Sequence, residues 1–174
     1  MGAVVARCYA DEGSGRAPRA CIIAGFNALA GLQTAVTGEA VFRWPVRVYY
    51  EDTDATGIVY HASYLKYCER ARTEWLRRLG FGQERLRTEH GVAFTLASAQ
   101  MQWRRPARLD DLLDVSVRVA AYGKVRIDFE QRIVRGEDCT ELAVASMRVA
   151  CIDTTSMRPR PLPAAMTAEI VNVS

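Results

Sequence analysis

Residues 61–79, HASYLKYCERARTEWLRRL, carry a single apolar stripe, and the chain after them alternates. Leu65, Cys68, Ala71, Trp75 and Leu79 recur every three or four residues, the spacing of one face of an α-helix. Lys66, Glu69, Arg70, Thr73, Glu74, Arg77 and Arg78 fall on the other faces, and Gly80 supplies the stop signal. Glu69 and Glu74 precede Thr73, Arg77 and Arg78 by three or four residues, so ion pairs support the exposed side. A helix with one apolar stripe must bury it against a second layer.

The downstream chain offers that layer. Val92–Trp103 reads as one long extended segment. Leu113, Val115, Val117 and Val119 alternate with polar residues, then Tyr122-Gly123-Lys124 turns the chain into Val125, Ile127, Phe129 and Gln131. A second turn, residues 135–138, leads into 142–152. Period-two segments joined by short turns form an antiparallel meander. Ahead of the helix, Phe42–Tyr50 alternates with Trp44, Val46, Val48 and Tyr50 on one face, and Pro45 confines its start to an edge or an unpaired position. Pro159, Pro161 and Pro163 close the domain before a short terminal helix. The order predicts an α+β fold, a curled antiparallel β-sheet wrapped around one long central α-helix, and not a doubly wound α/β fold.

A length of 174 residues is one domain's worth, 49% of it hydrophobic and 25% charged, which excludes a disordered tail. The net charge of +3 is too small for a nucleic-acid coat, so no nucleic-acid partner is expected. Nearly all the basic residues are arginines, since only Lys66 and Lys124 are lysines, and this suits small anionic ligands. Residues 1–40 are rich in Gly and Ala without sustained periodicity; they read as a flexible extension or a misassigned start, with the folded domain at 41–174. The apolar run 20–32 lacks a cleavage signature, and no run is long enough to span a membrane. Cysteines at 8, 21, 68, 139 and 151 contain no CxxC pair; they read as free thiols of a cytoplasmic protein.

The densest chemistry lies in YYEDTDATGIVYHASY, residues 49–64. Glu51, Asp52, Asp54 and His61 stand beside a helix start, where unpaired N–H groups suit a developing oxyanion. A carboxylate there can activate water or attack a carbonyl; equally, Asp52, Thr53 and Asp54 can simply turn the chain and cap a helix. The string Asp52-x-Asp54-x-Thr56 after a strand also fits a Mg²⁺-dependent phosphatase of the haloacid dehalogenase type. That fold needs a parallel sheet with an apolar first strand, which Arg43, Pro45 and Arg47 deny. Asp52, Asp54, His61 and His90 lack metal-ligand spacing, so no metal is expected, and His90 reads as a solvated loop residue. Arg104, Arg105 and Arg108 around Pro106 either hold the phosphates of an acyl carrier such as coenzyme A or form a solvated strand end.

The segment FRWPVRVYYEDTDATGIVYHASYLKYCERARTEWL resembles the signature of the Tol–Pal-associated, YbgC-type acyl-CoA thioesterases of the 4-hydroxybenzoyl-CoA thioesterase-like hotdog superfamily. The likeness continues through Ala107–Asp111, Gln131–Val134 and Met157–Pro163, about residues 42–170. The resemblance implies a hotdog fold, homodimers or homotetramers with active sites between subunits, and hydrolysis of acyl-CoA to free acid and CoA. No cofactor is implied, CoA being part of the substrate. Asp54 maps onto the catalytic carboxylate, as base or nucleophile, and His61 onto the residue whose N–H polarises the thioester carbonyl. Gly57 maps onto a substrate-binding glycine, Tyr60 flanks the site, and Thr56 stands where relatives often carry Gly, stiffening the turn. The Tol–Pal association suggests a second role, a binding partner of acyl carrier protein or envelope machinery with incidental hydrolase activity.

Overall fold

The computed structural model describes residues 41–173, so readings that fall on residues 1–40 lie outside the described residues. Strand β1 (Phe42–Arg47) is followed by a 3-10 turn at Tyr50–Asp52, helix α1 (Ser63–Arg78) and helix α2 (Gln83–His90). Strands β2 (Val92–Trp103), β3 (Leu112–Gly123), β4 (Arg126–Arg135) and β5 (Glu141–Asp153) then precede helix α3 (Ala164–Val173). The strands form one antiparallel sheet in the order β1-β3-β4-β5-β2, with α1 packed against β3 and β1. Register shifts between Leu96 and Ser98 and between Val119 and Ala121 mark bulges of the kind that bend strands and increase twist. The predicted layer order, the meander and the edge position of the Pro45 strand are all present.

The interior is apolar and tight. Val46, Val115, Val117, Ile127, Phe129 and Ile133 of the sheet meet Tyr64, Tyr67, Cys68, Ala71, Trp75 and Leu76 of α1, all buried. Trp75 meets Phe129 edge to face at 5.2 Å between ring centroids. The buried stripe differs from the expected one, because Leu65 and Leu79 are only half-buried while Tyr64, Tyr67 and Leu76 go inside. Cys68, Ala71 and Trp75 are common to both, so the stripe widens toward Tyr64 and Tyr67 and does not leave its expected face. The Tyr64 hydroxyl makes this tolerable by accepting the Ala107 N–H at 2.8 Å. Burial pushes the Cys68 thiol up to about 12, which fits a core filler and not a nucleophile. Cys68 and Cys151 are free, whereas Cys139 is disulfide-bonded, correcting the free-thiol expectation there.

Two further local readings change. The β1 alternation stops at Arg47, and Tyr50, expected on the inward face, is 82% exposed. Val48 leaves the ladder to exchange main-chain hydrogen bonds with Asp110 and Asp111 (3.2 and 3.0 Å), and the chain then tightens into the 3-10 turn. His90 lies not in a loop but at the last position of α2. That helix buries only Leu86, is braced by Arg85–Glu89 and Arg87–Glu84 ion pairs, and ends at Gly91 with φ of 62°. The outer face of the sheet is charged: Arg43–Asp114, Arg118–Glu130, Arg148–Asp128 and Arg132–Glu141 pair across it.

Candidate active site

The polar turn between β1 and α1 is a tight hairpin. Thr53 bridges Val59, Asp54 N–H donates to Ile58 O at 2.9 Å, and Gly57 N–H donates to Asp54 O at 3.0 Å. Tyr60 N–H closes the base on Asp52 O at 2.8 Å. Gly57 sits at φ +76°, and a Cβ there would meet nothing within 4 Å. Backbone conformation therefore demands the glycine, and the open space leaves its chain approachable by a ligand. The hairpin is fastened to the start of the β2–β3 connection, with Val59 N–H on Ala107 O at 2.9 Å and Ile58 bridging Arg108.

Asp54 is exposed at the hairpin's turn, and its Oδ1 accepts both the Thr56 hydroxyl (2.5 Å) and the Thr56 N–H (2.8 Å). These bonds, the hydroxyl's foremost, hold the Asp54 carboxyl below its ordinary range, with a smaller contribution from His61. Thr56 thus stiffens the turn as expected and also favours the ionised form of the carboxylate.

His61 follows the hairpin and introduces α1. Its ring leans on Tyr60 at 4.2 Å and meets the edge of Trp103, the last residue of β2, at 6.0 Å. Ala62 takes the N-cap position of α1 without any side-chain cap. Among the described residues, no acceptor takes the main-chain N–H of His61 or Ala62. Uncapped donors at the positive end of a 16-residue helix suit a reaction that builds negative charge on oxygen.

The structure thus joins Asp54, Gly57, Tyr60 and His61 in one hairpin-to-helix unit. Arg104 and Arg105 come one and two residues after Trp103, both with N–H donors on Leu142 O at 2.8 and 3.2 Å. The Arg104 guanidinium is ion-paired with Glu141, whereas those of Arg105 and Arg108 have no ion-pair partner among the described residues. Arg108 is joined to the hairpin through its main-chain bridge to Ile58. Trp103 was not among the residues the sequence singled out; a large aromatic at a strand end just before the Arg104-Arg105 pair was the available signal. No three His, Cys, Asp or Glu side chains converge as a metal set among the described residues.

One antiparallel sheet curled on a long helix, with a polar hairpin leading into that helix, is the hotdog fold. The chain belongs to the thioesterase-like superfamily, whose family model matches residues 48–170, and it is an enzyme of the thioester-hydrolase class. It is similar to the acyl-CoA thioester hydrolase YbgC of Escherichia coli O6:H1, 48% identical over 129 residues that cover 74% of this chain and 95% of that one. The Haemophilus influenzae acyl-CoA thioesterase YbgC is 47% identical over 122 residues, 70% of this chain and 88% of the relative. Among solved structures, a 1,4-dihydroxy-2-naphthoyl-CoA thioesterase from Synechocystis superposes with a TM-score of 0.71 at 26% identity, covering 76% of this chain and 97% of the other.

Proposed function

We propose that the protein hydrolyses acyl-CoA thioesters, with Asp54 as the reacting carboxylate and the His61 main-chain N–H as the oxyanion donor. The ionised Asp54 beside the uncapped start of α1 is the observation that carries the reading. Asp54 either takes a proton from water as the water oxygen adds to the thioester carbon, or adds there itself to give an anhydride that water then opens. In both routes negative charge moves onto the carbonyl oxygen, against the His61 N–H, before the C–S bond breaks and the CoA sulfur takes a proton. The helix-end donors are fixed before reaction, so stabilising that charge requires little reorganisation. Arg105 and Arg108 supply free guanidinium groups for the CoA phosphates, Arg104 being committed to Glu141. The proposed steps use no metal or organic cofactor. Relatives named for acyl-CoA and for 1,4-dihydroxy-2-naphthoyl-CoA support a panel of short-chain, fatty and aromatic thioesters as the test. Steady-state turnover of at least one of them by the wild type, lost in Asp54→Asn, is the expected result. Negligible turnover on all, with carrier-protein binding that survives Asp54→Asn, would favour the binding-partner role.

The acid limb of the rate profile tests the Thr56 bonds. Asp54 must be ionised in either route, and Thr56 lowers its carboxyl, so activity persists to below the ordinary carboxylate range. Thr56→Val removes the hydroxyl donor and should move that limb to higher pH; an unmoved limb would separate Asp54 from the rate. Folding linkage has the matching sign, since a depressed carboxyl contributes stability above its unfolded pKa that is lost as pH falls through the folded one.

We also infer a homodimer formed through β2. This strand lies at the sheet edge over 12 residues, with Leu96 44% and Trp103 49% exposed. An open edge of this length invites pairing with a second strand, and Trp103 would bring the partner alongside His61. Sedimentation should show a dimer or tetramer that Leu96→Glu weakens; an active monomer would refute the inference. Among the described residues no helix is long and apolar enough to cross a membrane. A cytoplasmic location is a separate part of the proposal.

A further inference from the structure

The carboxylate of Asp52 takes no part in the chemistry above, yet Asp52 is only 1% exposed. Burying a carboxylate costs free energy that hydrogen bonds must offset, so a chain that keeps one gains something by it. Asp52 Oδ2 accepts the Tyr49 N–H at 3.0 Å, holding the turn that leads into the hairpin. Its main-chain oxygen accepts the Tyr60 N–H at 2.8 Å, closing the hairpin one residue before His61. From α1, Tyr67 is fully buried, and its hydroxyl has no hydrogen-bond partner in place. Burial first, and then the Asp52 charge, push that phenol above its ordinary range, so the two groups sense each other inside the fold. The Asp52 carboxylate therefore holds the turn before the hairpin and its main chain holds the hairpin base, both beside the buried Tyr67 of the helix that follows.

We propose that Asp52 is a positioning residue, which locks the hairpin base between the 3-10 turn and α1 so that the Asp54 carboxylate and the His61 N–H converge on one carbonyl. The proposal rests on the thioesterase reading. Displacing reacting groups by about 1 Å can cost about 10²-fold in rate without weakening substrate binding.

The test is a cycle of Asp52→Ala and Asp54→Asn, assayed on the acyl-CoA that the wild type turns over best. Asp52→Ala should lower kcat by about 10²-fold with KM little changed, and should lower it by much less in the Asp54→Asn background, where only the His61 N–H is left to misalign. Asp52→Asn, which keeps shape and an acceptor for Tyr49, should restore part of the rate. Should Asp52→Ala fail to fold, Asp52→Asn is the variant that is read: without the charge on its acceptor the Tyr49 bond weakens, and kcat should fall by about tenfold, mostly when Asp54 is present. Wild-type kcat in the folding variant overturns the proposal, as does an equal loss in both Asp54 backgrounds. Turnover abolished by Asp54→Asn but untouched at Asp52 overturns the positioning role alone. A wild type inactive on every acyl-CoA overturns the thioesterase reading and this proposal together.

Discussion

Asp54→Asn should lower kcat on the best acyl-CoA by about 10²–10⁴-fold, the range spanned by a lost general acid–base group. The fold should be unaffected. Asp54 is exposed, and an asparagine oxygen still accepts the two Thr56 bonds that define the turn. Thermal unfolding of the variant should therefore overlay the wild type, while progress curves for free CoA release separate them. Some activity should remain, because the donors at the start of α1 still face the carbonyl when the carboxylate is gone. Equal rates in a folded variant would remove Asp54 from the chemistry.

The second large effect is on stability. Arg72 is 5% exposed on the inner side of α1; it donates to Gln131 Oε1 at 2.6 Å and is ion-paired with Glu69. Gln131, 1% exposed on β4, uses its other end to donate to Cys68 O at 3.1 Å. Gln131→Leu leaves a buried guanidinium short of an acceptor, which should cost about 2–3 kcal/mol, roughly 5–10 °C in Tm. Arg72→Met combined with Gln131→Leu should recover most of that loss, since an apolar pair needs no partners. Denaturant titration of both singles and the double gives the coupling energy, and strictly additive losses would show that the two groups do not act as a unit.

The sheet and α1 were legible because their patterns are long and repeat at a fixed period. Val115, Val117, Ile127 and Ile133 point inward as the alternation predicts. Helix α2 was not legible, since one buried leucine in eight residues leaves no stripe to read and its braces are ion pairs between charged neighbours. Tyr64 and Tyr67 lie outside the three- and four-residue stripe, yet their aromatic bulk marks them as packing residues, and both are buried. The site divides the same way. Asp54, Gly57 and His61 sit in a motif whose spacing survives into the hairpin. The burial of Asp52 and the approach of Trp103 to His61 depend on contacts that run from β2 and α1 back to the turn. Such contacts leave no periodic trace in a single chain.

Ala107 gives the last consequence. This fully buried residue donates to the Tyr64 hydroxyl of α1 and accepts the Val59 N–H of the hairpin, one position from Arg108. Arg108 and the hairpin that carries Asp54 are thus mounted on one joint. Under the proposed function, grip on the nucleotide end of the substrate is transmitted as alignment at the thioester. A thioester of bare pantetheine, lacking that handle, would then lose turnover rate and not merely affinity.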